Sequence, residues 1–215
     1  MAHPNDQSSP ATERAVLLPA VLFADLAGST KLYETLGDTF AKIVVDECLD
    51  AMRAVTARHS GRVIKSIGDE LMCVFPDADQ GSMAASEMQL AIAALPPVPG
   101  VRRSIRVGFH AGPLLEADGD VFGDTVNTAA RMTGLAKGDQ IITTLTTVVR
   151  MSPLLRASTR LIAALAIRGK EEDVEVCEVL WQATDELTMA ASALVQPAAS
   201  QSLHLLHGNH RLLVE

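Results

Sequence analysis

The chain has 215 residues, of which 48% are hydrophobic and 20% charged, and its formal net charge is -8. A chain of this size and composition can bury a full hydrophobic core, so we expect one main domain with short additions at its ends. The acidic balance argues against a nucleic-acid-binding protein, which needs a basic surface. No stretch reaches the roughly 18 apolar residues of a membrane helix, and the N-terminus lacks an apolar signal core, so we expect a soluble, cytoplasmic protein that does not contact membranes.

The three cysteines indicate a reducing environment. Cys48, Cys73 and Cys177 stand in apolar surroundings and form no C-x-x-C pair. An odd number of cysteines without metal-binding spacing is typical of reduced core residues in a cytosolic protein.

The first half of the chain predicts a strand, a long helix, a hairpin and a second helix. Residues 1–14 are polar, and we expect them to be flexible. The segments in chain order are a strand at 16–24, a helix at 30–59, a hairpin in "RVIKSIGDELMCVF" that turns at Gly68 and Asp69, and a helix at 78–95. Within the long helix, the apolar positions at helical spacing are Leu32, Leu36, Phe40, Ile43 and Val44.

The second half continues the alternation of hairpins and helices. The stretch "SIRVGFHAGPLLEADGDVFGD" predicts another strand pair, and Asp124 is placed to cap a helix that runs to about Ala136. A strand in "QIITT", a short helix after Thr143, and strands at 160–167 and 173–180 complete the order. Because helices alternate with hairpins rather than with single strands, we expect an α+β sandwich with a mainly antiparallel sheet.

The composition changes after Trp181. Residues 183–200 are rich in Ala and Ser and predict a linker. Residues 201–215 resemble a hairpin around His207, Gly208 and Asn209. A lone hairpin is marginally stable in water, so this one either packs on the main domain or begins a further β-rich domain.

Asp25 is the first residue that needs a chemical explanation. It follows an apolar strand in "VLFADLAGST", where an ionised carboxylate is costly to desolvate unless it is paired, hydrogen-bonded or bound to a metal. One reading is that Asp25 accepts backbone N–H bonds from the following turn. The other is a metal carboxylate beside a phosphate-binding loop, because Gly28 lets the backbone approach closely and the next helix offers its N-terminal N–H groups.

A second carboxylate strengthens the metal reading. Asp69 stands at the hairpin turn in "KSIGDE", where Gly68 permits a positive φ. An Asp in a turn is ordinary by itself. Two carboxylates on neighbouring turns of one sheet can together hold two Mg²⁺ ions, which prefer oxygen ligands and bridge phosphates.

Four motifs carry a family resemblance. In order, "FADLAGST", "IKSIGDELM", "RVGFHAGP" and "DVFGDTVNTAARM" resemble the catalytic domains of class III nucleotidyl cyclases, the adenylate and guanylate cyclase family. The similarity covers about residues 16–182, and we place the domain at 15–182. It implies a ferredoxin-like βαββαβ core with an added α/β unit. Diguanylate cyclases have a related fold, but their Gly-Gly-Asp/Glu-Glu-Phe signature is absent at "SIGDELM".

The resemblance also implies roles for individual residues. Asp25 and Asp69 match the two aspartates that hold two Mg²⁺ or Mn²⁺ ions, with the Leu26 backbone beside them. The loop residues expected next to the triphosphate are Gly28, Ser29 and Thr30. Asn127 and Arg131 match the transition-state pair: Arg131 would stabilise charge on the α-phosphate and Asn127 would orient the ribose. Without the flanking "FGDTVN", the same pair would indicate only a polar stripe on a helix.

The choice of substrate rests on hydrogen-bond chemistry. Lys65 and Asp120 match the two positions that read the base in this family. Lys offers only donors and an ionised Asp only acceptors, which suits the N1 acceptor and 6-amino donor of adenine. Asp118, two residues away on the same predicted side, is the competing candidate. The resemblance therefore implies an adenylate cyclase that converts ATP to 3′,5′-cyclic AMP and pyrophosphate.

Some alternatives remain open at this point. The stretch "AIRGKEE" offers Arg168 as the closer match to a basic residue that binds the terminal phosphates, and the role of Lys170 is undecided. A cyclase for GTP or a pyrimidine nucleotide, and a silent nucleotide-binding or dimerisation module, are the other functional readings. The resemblance further implies a head-to-tail homodimer with two shared catalytic sites. His110 is expected to be a structural strand residue, since metal-activated attack needs no histidine base.

Overall fold

The structure is a computed structural model, and it describes residues 18–165 and 173–182. Apart from Gln182, these residues belong to the first of the two units into which the chain divides, Met1–Trp181 and Gln182–Glu215. The first elements are β1 (Ala20–Leu26), α1 (Ser29–Leu36), α2 (Asp38–Arg58), β2 (Arg62–Ile67), β3 (Glu70–Phe75), α3 (Ala78–Ala94) and β4 (Ile105–Ala111). The remaining elements are β5 (Leu115–Ala117), β6 (Asp120–Phe122), α4 (Asp124–Leu135), β7 (Ile141–Thr144), α5 (Leu145–Val148), α6 (Pro153–Ala157), β8 (Thr159–Leu165) and β9 (Val174–Val179).

Seven strands form one sheet in the order β2-β3-β1-β4-β7-β9-β8. The β4–β7 pair is parallel, and the other neighbouring pairs are antiparallel. Strands β5 and β6 form a separate two-stranded hairpin. The predicted α+β class with a mainly antiparallel sheet is therefore confirmed.

The two faces of the sheet bury different sets of side chains. Along β1, residues such as Leu22 pack with the apolar sides of α2 and α3, because successive side chains of a strand alternate between faces. Val21 and Phe23 point to the opposite face, where they pack with Val121 of β6 and Ala129 of α4. Asp25 continues this second alternation, so it lies on the sheet face that α4 and the β5–β6 hairpin cover.

The single long helix predicted at 30–59 is wrong, because Gly37 divides it into α1 and α2. Gly37 has φ 73° and ψ 159°, a backbone conformation with positive φ that interrupts the helix and that glycine adopts without steric cost. The break resets the helical phase, so α2 buries Val44 and its neighbours on one side. Phe40 and Ile43, predicted as part of the apolar side, are each 49% exposed.

The stretch predicted as one strand pair before α4 contains three strands. β4 joins the large sheet, while β5 pairs with β6 across a turn at Asp118 (φ 54°) and Gly119 (φ 79°). Asp124 is also not the helix cap: Gly123 is the N-cap residue, and no side chain caps this end. Asp124 is instead in the first turn, where its negative charge interacts favourably with the positive end of the helix dipole. Helix α6 was not predicted.

The hairpin of β2 and β3 is confirmed at its predicted residues, and the helix α3 and the strands β7 to β9 are confirmed with limits that differ by one residue where they are described. All three cysteines are free and buried, as predicted. Within the described ranges, no helix combines the length and the apolar character needed to cross a bilayer. The predictions for residues 1–14, 183–200 and 201–215, and those for Arg168 and Lys170, lie outside the described residues.

Candidate active site

A cluster of charged side chains lies where β1, β3 and β4 run side by side. In the antiparallel register, Asp25 of β1 is directly opposite Glu70 of β3 and Arg106 of β4. Residues that face each other across antiparallel strands project to the same side of the sheet. All three side chains therefore lie on the face that α4 covers, and Asp69 adjoins them at the β2–β3 turn.

Arg106 is the partner of Asp25 that the sequence analysis missed. Its Nε and a terminal guanidinium nitrogen each lie 2.5 Å from Oδ2 of Asp25. Asp25 thus pairs with a side chain on the neighbouring strand β4. Arg106 stands between the buried Ile105 and Val107 of β4, and a charged residue between two buried apolar neighbours was the available sequence signal.

The surroundings of the cluster raise the pKa values of Asp25 and Glu70. Burial is the main cause for Asp25, whose pKa is raised; the Arg106 hydrogen bond opposes the shift, and the negative charge of Asp69 adds to it. The pKa of Glu70 is raised mainly by burial and then by the charge of Asp25. Three carboxylates beside one guanidinium leave an excess of negative charge, which a cation would offset.

One direct observation supports a divalent-cation site at these residues. Oδ2 of Asp69 is buried and has no hydrogen-bond partner among the described residues. A buried carboxylate oxygen without a partner is costly unless a cation or donor reaches it. The described residues contain no group of three or more His, Cys, Asp or Glu side chains that could hold a metal by themselves. Asp25 and Asp69 thus offer two carboxylates, and a bound triphosphate could supply further oxygens.

The loop after β1 leads directly into a helix N-terminus. Gly28 is the N-cap of α1 with φ 76°, and no side chain caps this end. Ser29 and Thr30 begin the helix, and the first N–H groups of a helix have no partner within it. The loop is therefore suited to a phosphate, and the phosphate-binding role of these residues stays a prediction.

The two predicted base-reading side chains meet directly. Nζ of Lys65 lies 2.6 Å from Oδ2 of Asp120, although the residues are 55 positions apart in the chain. The other Asp120 oxygen accepts a hydrogen bond of 2.8 Å from the backbone N–H of Val121. The Lys65 hydrogen bond, followed by that of Val121, lowers the pKa of Asp120, so this side chain is an anion at neutral pH. Its competitor Asp118 lies in the turn of the hairpin.

Asn127 and Arg131 lie on the outer side of α4. The side chains with which α4 packs on the rest of the protein are Thr125, Thr128, Ala129, Met132 and Thr133. At about 100° per residue, Asn127 and Arg131 are roughly 150° around the helix axis from the middle of this buried side. Both are exposed. The structure thus directs this pair away from the sheet surface on which Asp25 lies.

His110 holds the ends of two parallel strands together. Its Nδ1 lies 2.8 Å from Oγ1 of Thr144 and 3.0 Å from Oγ1 of Thr147. Thr147 also accepts a hydrogen bond from the N–H of Ala111. These contacts agree with the structural role predicted for His110.

Comparison with known proteins identifies the family. Residues 18–177 match the family described as the adenylate and guanylate cyclase catalytic domain. An adenylate cyclase of Streptomyces coelicolor is 32% identical over 123 residues, which cover 57% of this chain and 31% of that protein. The chain spans about a third of the length of such curated relatives.

The solved structures to which this chain is similar are also cyclases. Adenylate cyclases from Trypanosoma brucei, described in their monomeric state, match with a TM-score of 0.67 at 21% identity, covering 79% of this chain and 93% of that chain. An adenylate/guanylate cyclase/hydrolase from Silicibacter pomeroyi matches with a TM-score of 0.59 at 27% identity, over 76% of this chain and 96% of that chain. The fold and the ordered motifs define a class III nucleotidyl cyclase domain. This chain belongs to the adenylate and guanylate cyclase catalytic domain family.

Proposed function

We propose that the protein is an adenylate cyclase that converts ATP to 3′,5′-cyclic AMP and pyrophosphate. The ribose 3′-hydroxyl gives its proton to solvent water, and its oxygen attacks the α-phosphorus to form a new O–P bond. The bond from the α-phosphorus to the oxygen that bridges to the β-phosphate breaks, so pyrophosphate leaves with the electron pair. Asp25 and Asp69 would hold two Mg²⁺ or Mn²⁺ ions, which when bound lower the pKa of the attacking hydroxyl and neutralise phosphate charge. The Leu26 backbone adjoins this pair. Membership of the family and the adenylate cyclase names of its relatives support the reaction class.

The chain's own groups would bind and orient the nucleotide. Arg106 donates a hydrogen bond to Oδ2 of Asp25, so its positive charge would offset part of the negative charge of a bound triphosphate. The Gly28, Ser29 and Thr30 backbone would receive phosphate oxygens, and Arg168 would bind the terminal phosphates. Asn127 and Arg131 would orient the ribose and stabilise charge on the α-phosphate.

The ion pair between Lys65 and Asp120 carries the proposal that ATP is the substrate. The pair presents a donor and an acceptor 2.6 Å apart, and adenine presents the complementary acceptor and donor on one edge. Guanine presents the reverse pattern. In the same orientation, the Lys65 donor would face the N1–H donor and the Asp120 acceptor would face the O6 acceptor. A mismatched polar contact costs about 1–3 kcal/mol.

Purified protein with Mg²⁺ or Mn²⁺ is expected to prefer ATP over GTP, CTP and UTP by at least about tenfold in kcat/KM. Product formation is measured by chromatography for each nucleotide under the same conditions. Equal or faster turnover of GTP would contradict the assignment of Lys65 and Asp120.

We further propose that two chains share each catalytic site. The outward direction of Asn127 and Arg131 supports this arrangement, because the pair is turned away from its own carboxylates. In a head-to-tail homodimer, Asp25 and Asp69 of one chain would meet Asn127 and Arg131 of the partner, and two-fold symmetry would create two such sites.

A mixing experiment tests the shared site. We expect Asp25→Asn and Arg131→Ala proteins to be inactive alone and to recover activity when mixed, because the heterodimer has one site with both defects and one with neither. Random pairing predicts about a quarter of the wild-type specific activity. Mixing Asp25→Asn with Asp69→Asn is the matched control, since each site of that heterodimer keeps one metal defect. If the first mixture forms heterodimers and stays inactive, the sites are not shared.

A further inference from the structure

The β5–β6 hairpin carries Asp120, yet it is not hydrogen-bonded into the large sheet. Each of its strands has three residues, and an isolated two-stranded hairpin of this size is marginally stable. Val121 attaches it through the apolar contacts of the α4 face. The position of Asp120 therefore depends on further contacts between this hairpin and β2.

Two ion pairs provide these contacts. One is the Lys65–Asp120 pair, and the other joins a terminal nitrogen of Arg62 to Oε1 of Glu116 at 2.5 Å. Arg62 and Lys65 both come from β2, while Glu116 and Asp120 come from the two strands of the hairpin. The second pair has no place in the reaction proposed above.

An irregularity in β2 allows both cations to reach the hairpin. Residues three positions apart in a regular strand point to opposite faces. The register shifts between Val63 and Lys65, so that Arg62 lies opposite Val74 and Lys65 lies opposite Met72. Val74 and Met72 belong to the same apolar cluster on the α4 face. The bulge therefore turns Arg62 and Lys65 to one face, as bulges often re-aim a side chain near a functional site.

We infer that Arg62 and Glu116 are positioning residues that hold the hairpin on β2 and thereby keep Asp120 within reach of Lys65. The inference rests on the proposed function for its effect on nucleotide choice. Without the pair, the hairpin would remain attached through Val121, but the spacing of Asp120 and Lys65 would vary. The discrimination between adenine and guanine would then weaken, because it depends on holding one donor and one acceptor at a fixed distance.

A charge-swap series tests this role. Arg62→Glu and Glu116→Arg each place like charges opposite each other, and the double variant restores an opposite pair. We expect each single variant to lower the ATP-to-GTP ratio of kcat/KM by about fivefold, within the range of an exposed ion pair replaced by a repulsion. Hydrogen exchange in peptides covering residues 115–122 should rise by a similar factor. The double variant should return both quantities to within about twofold of wild type.

Lys42→Glu is the matched control, since it breaks an exposed ion pair with Asp46 on α2, away from the hairpin. It should change neither quantity, and a melting curve of each variant should show an intact fold. Unchanged selectivity and exchange in the single variants, or no recovery in the double variant, would overturn the inference. If no nucleotide is cyclised, the proposed function fails, and hydrogen exchange in the same series still decides whether the pair holds the hairpin.

Discussion

Replacing Gly108 by alanine should push α4 outward from the sheet and destabilise the fold. A Cβ atom at Gly108 of β4 would lie 2.0 Å from the backbone nitrogen of Thr133 and 2.5 Å from the carbonyl carbon of Met132. Both are backbone atoms of α4, so no side-chain rotation can relieve the overlap. An ordinary contact needs the helix to move outward by about 1.4 Å.

The expected cost follows from this overlap. Overpacking a core by a methyl group costs about 1–3 kcal/mol, and the rigid backbone contact places Gly108→Ala near the upper end. For a domain of this size, each kcal/mol lowers the melting temperature by about 2–4 °C, so we expect a decrease of about 6–12 °C. Differential scanning calorimetry or circular dichroism measures it directly.

Gly134 on the same helix provides the matched control. A Cβ atom at Gly134 would meet nothing within 4 Å, and the residue is exposed. Because alanine favours a helix over glycine by about 0.5–1 kcal/mol, Gly134→Ala should raise the melting temperature slightly. A Gly108→Ala protein that melts within about 2 °C of wild type would refute the close packing of α4 on β4.

Two further predictions concern buried polar groups. Thr147→Val should lower the free energy of unfolding by about 1–3 kcal/mol, because the buried N–H of Ala111 and the ring of His110 lose a hydroxyl partner; an unchanged urea midpoint would contradict it. The native cysteines should not react with a thiol reagent at pH 8, because burial raises the pKa of Cys48 and Cys73 to about 11 and also raises that of Cys177. All three should react in denaturant, and fast labelling of the folded protein would show that the thiols are accessible.

The sequence was most informative where a backbone conformation strongly favours one residue type, such as glycine at a positive φ. Gly68 predicted the turn of the β2–β3 hairpin, and the structure gives it φ 64°. Gly37 has a similar φ of 73°, but apolar residues on both sides of it continue a helical spacing, so the break between α1 and α2 was hidden. The exposure of Phe40 follows from that same break. Local patterns thus predicted the order of the elements better than the phase of their faces.

Contacts between strands that are far apart in the sequence were harder to predict, because local patterns do not show which strands pair or in which register. Asp25, Asp69, Lys65 and Asp120 were found because motifs carried them, although their roles stay predictions. Arg106 was missed because its partner is 81 residues away, and strand register is set by packing across the whole sheet. The bulge in β2 is not visible as a Gly or Pro in "RVIKSI". It arises from the pairing with β3, and it decides which side of the strand Arg62 occupies.

The placement of α4 connects the packing of the domain to the proposed reaction. Gly108 lets the helix lie against the sheet, and the buried side that results fixes which residues are left to point outward. A helix is about 10 Å across with its side chains, so Asn127 and Arg131 are separated by that thickness from the surface that bears Asp25. Moving the pair to the carboxylates within one chain would require the helix to turn and expose Met132. Burying Met132 and completing the proposed site inside one chain are therefore in conflict, whereas in the proposed head-to-tail dimer a second copy of the chain would supply the pair and leave Met132 buried.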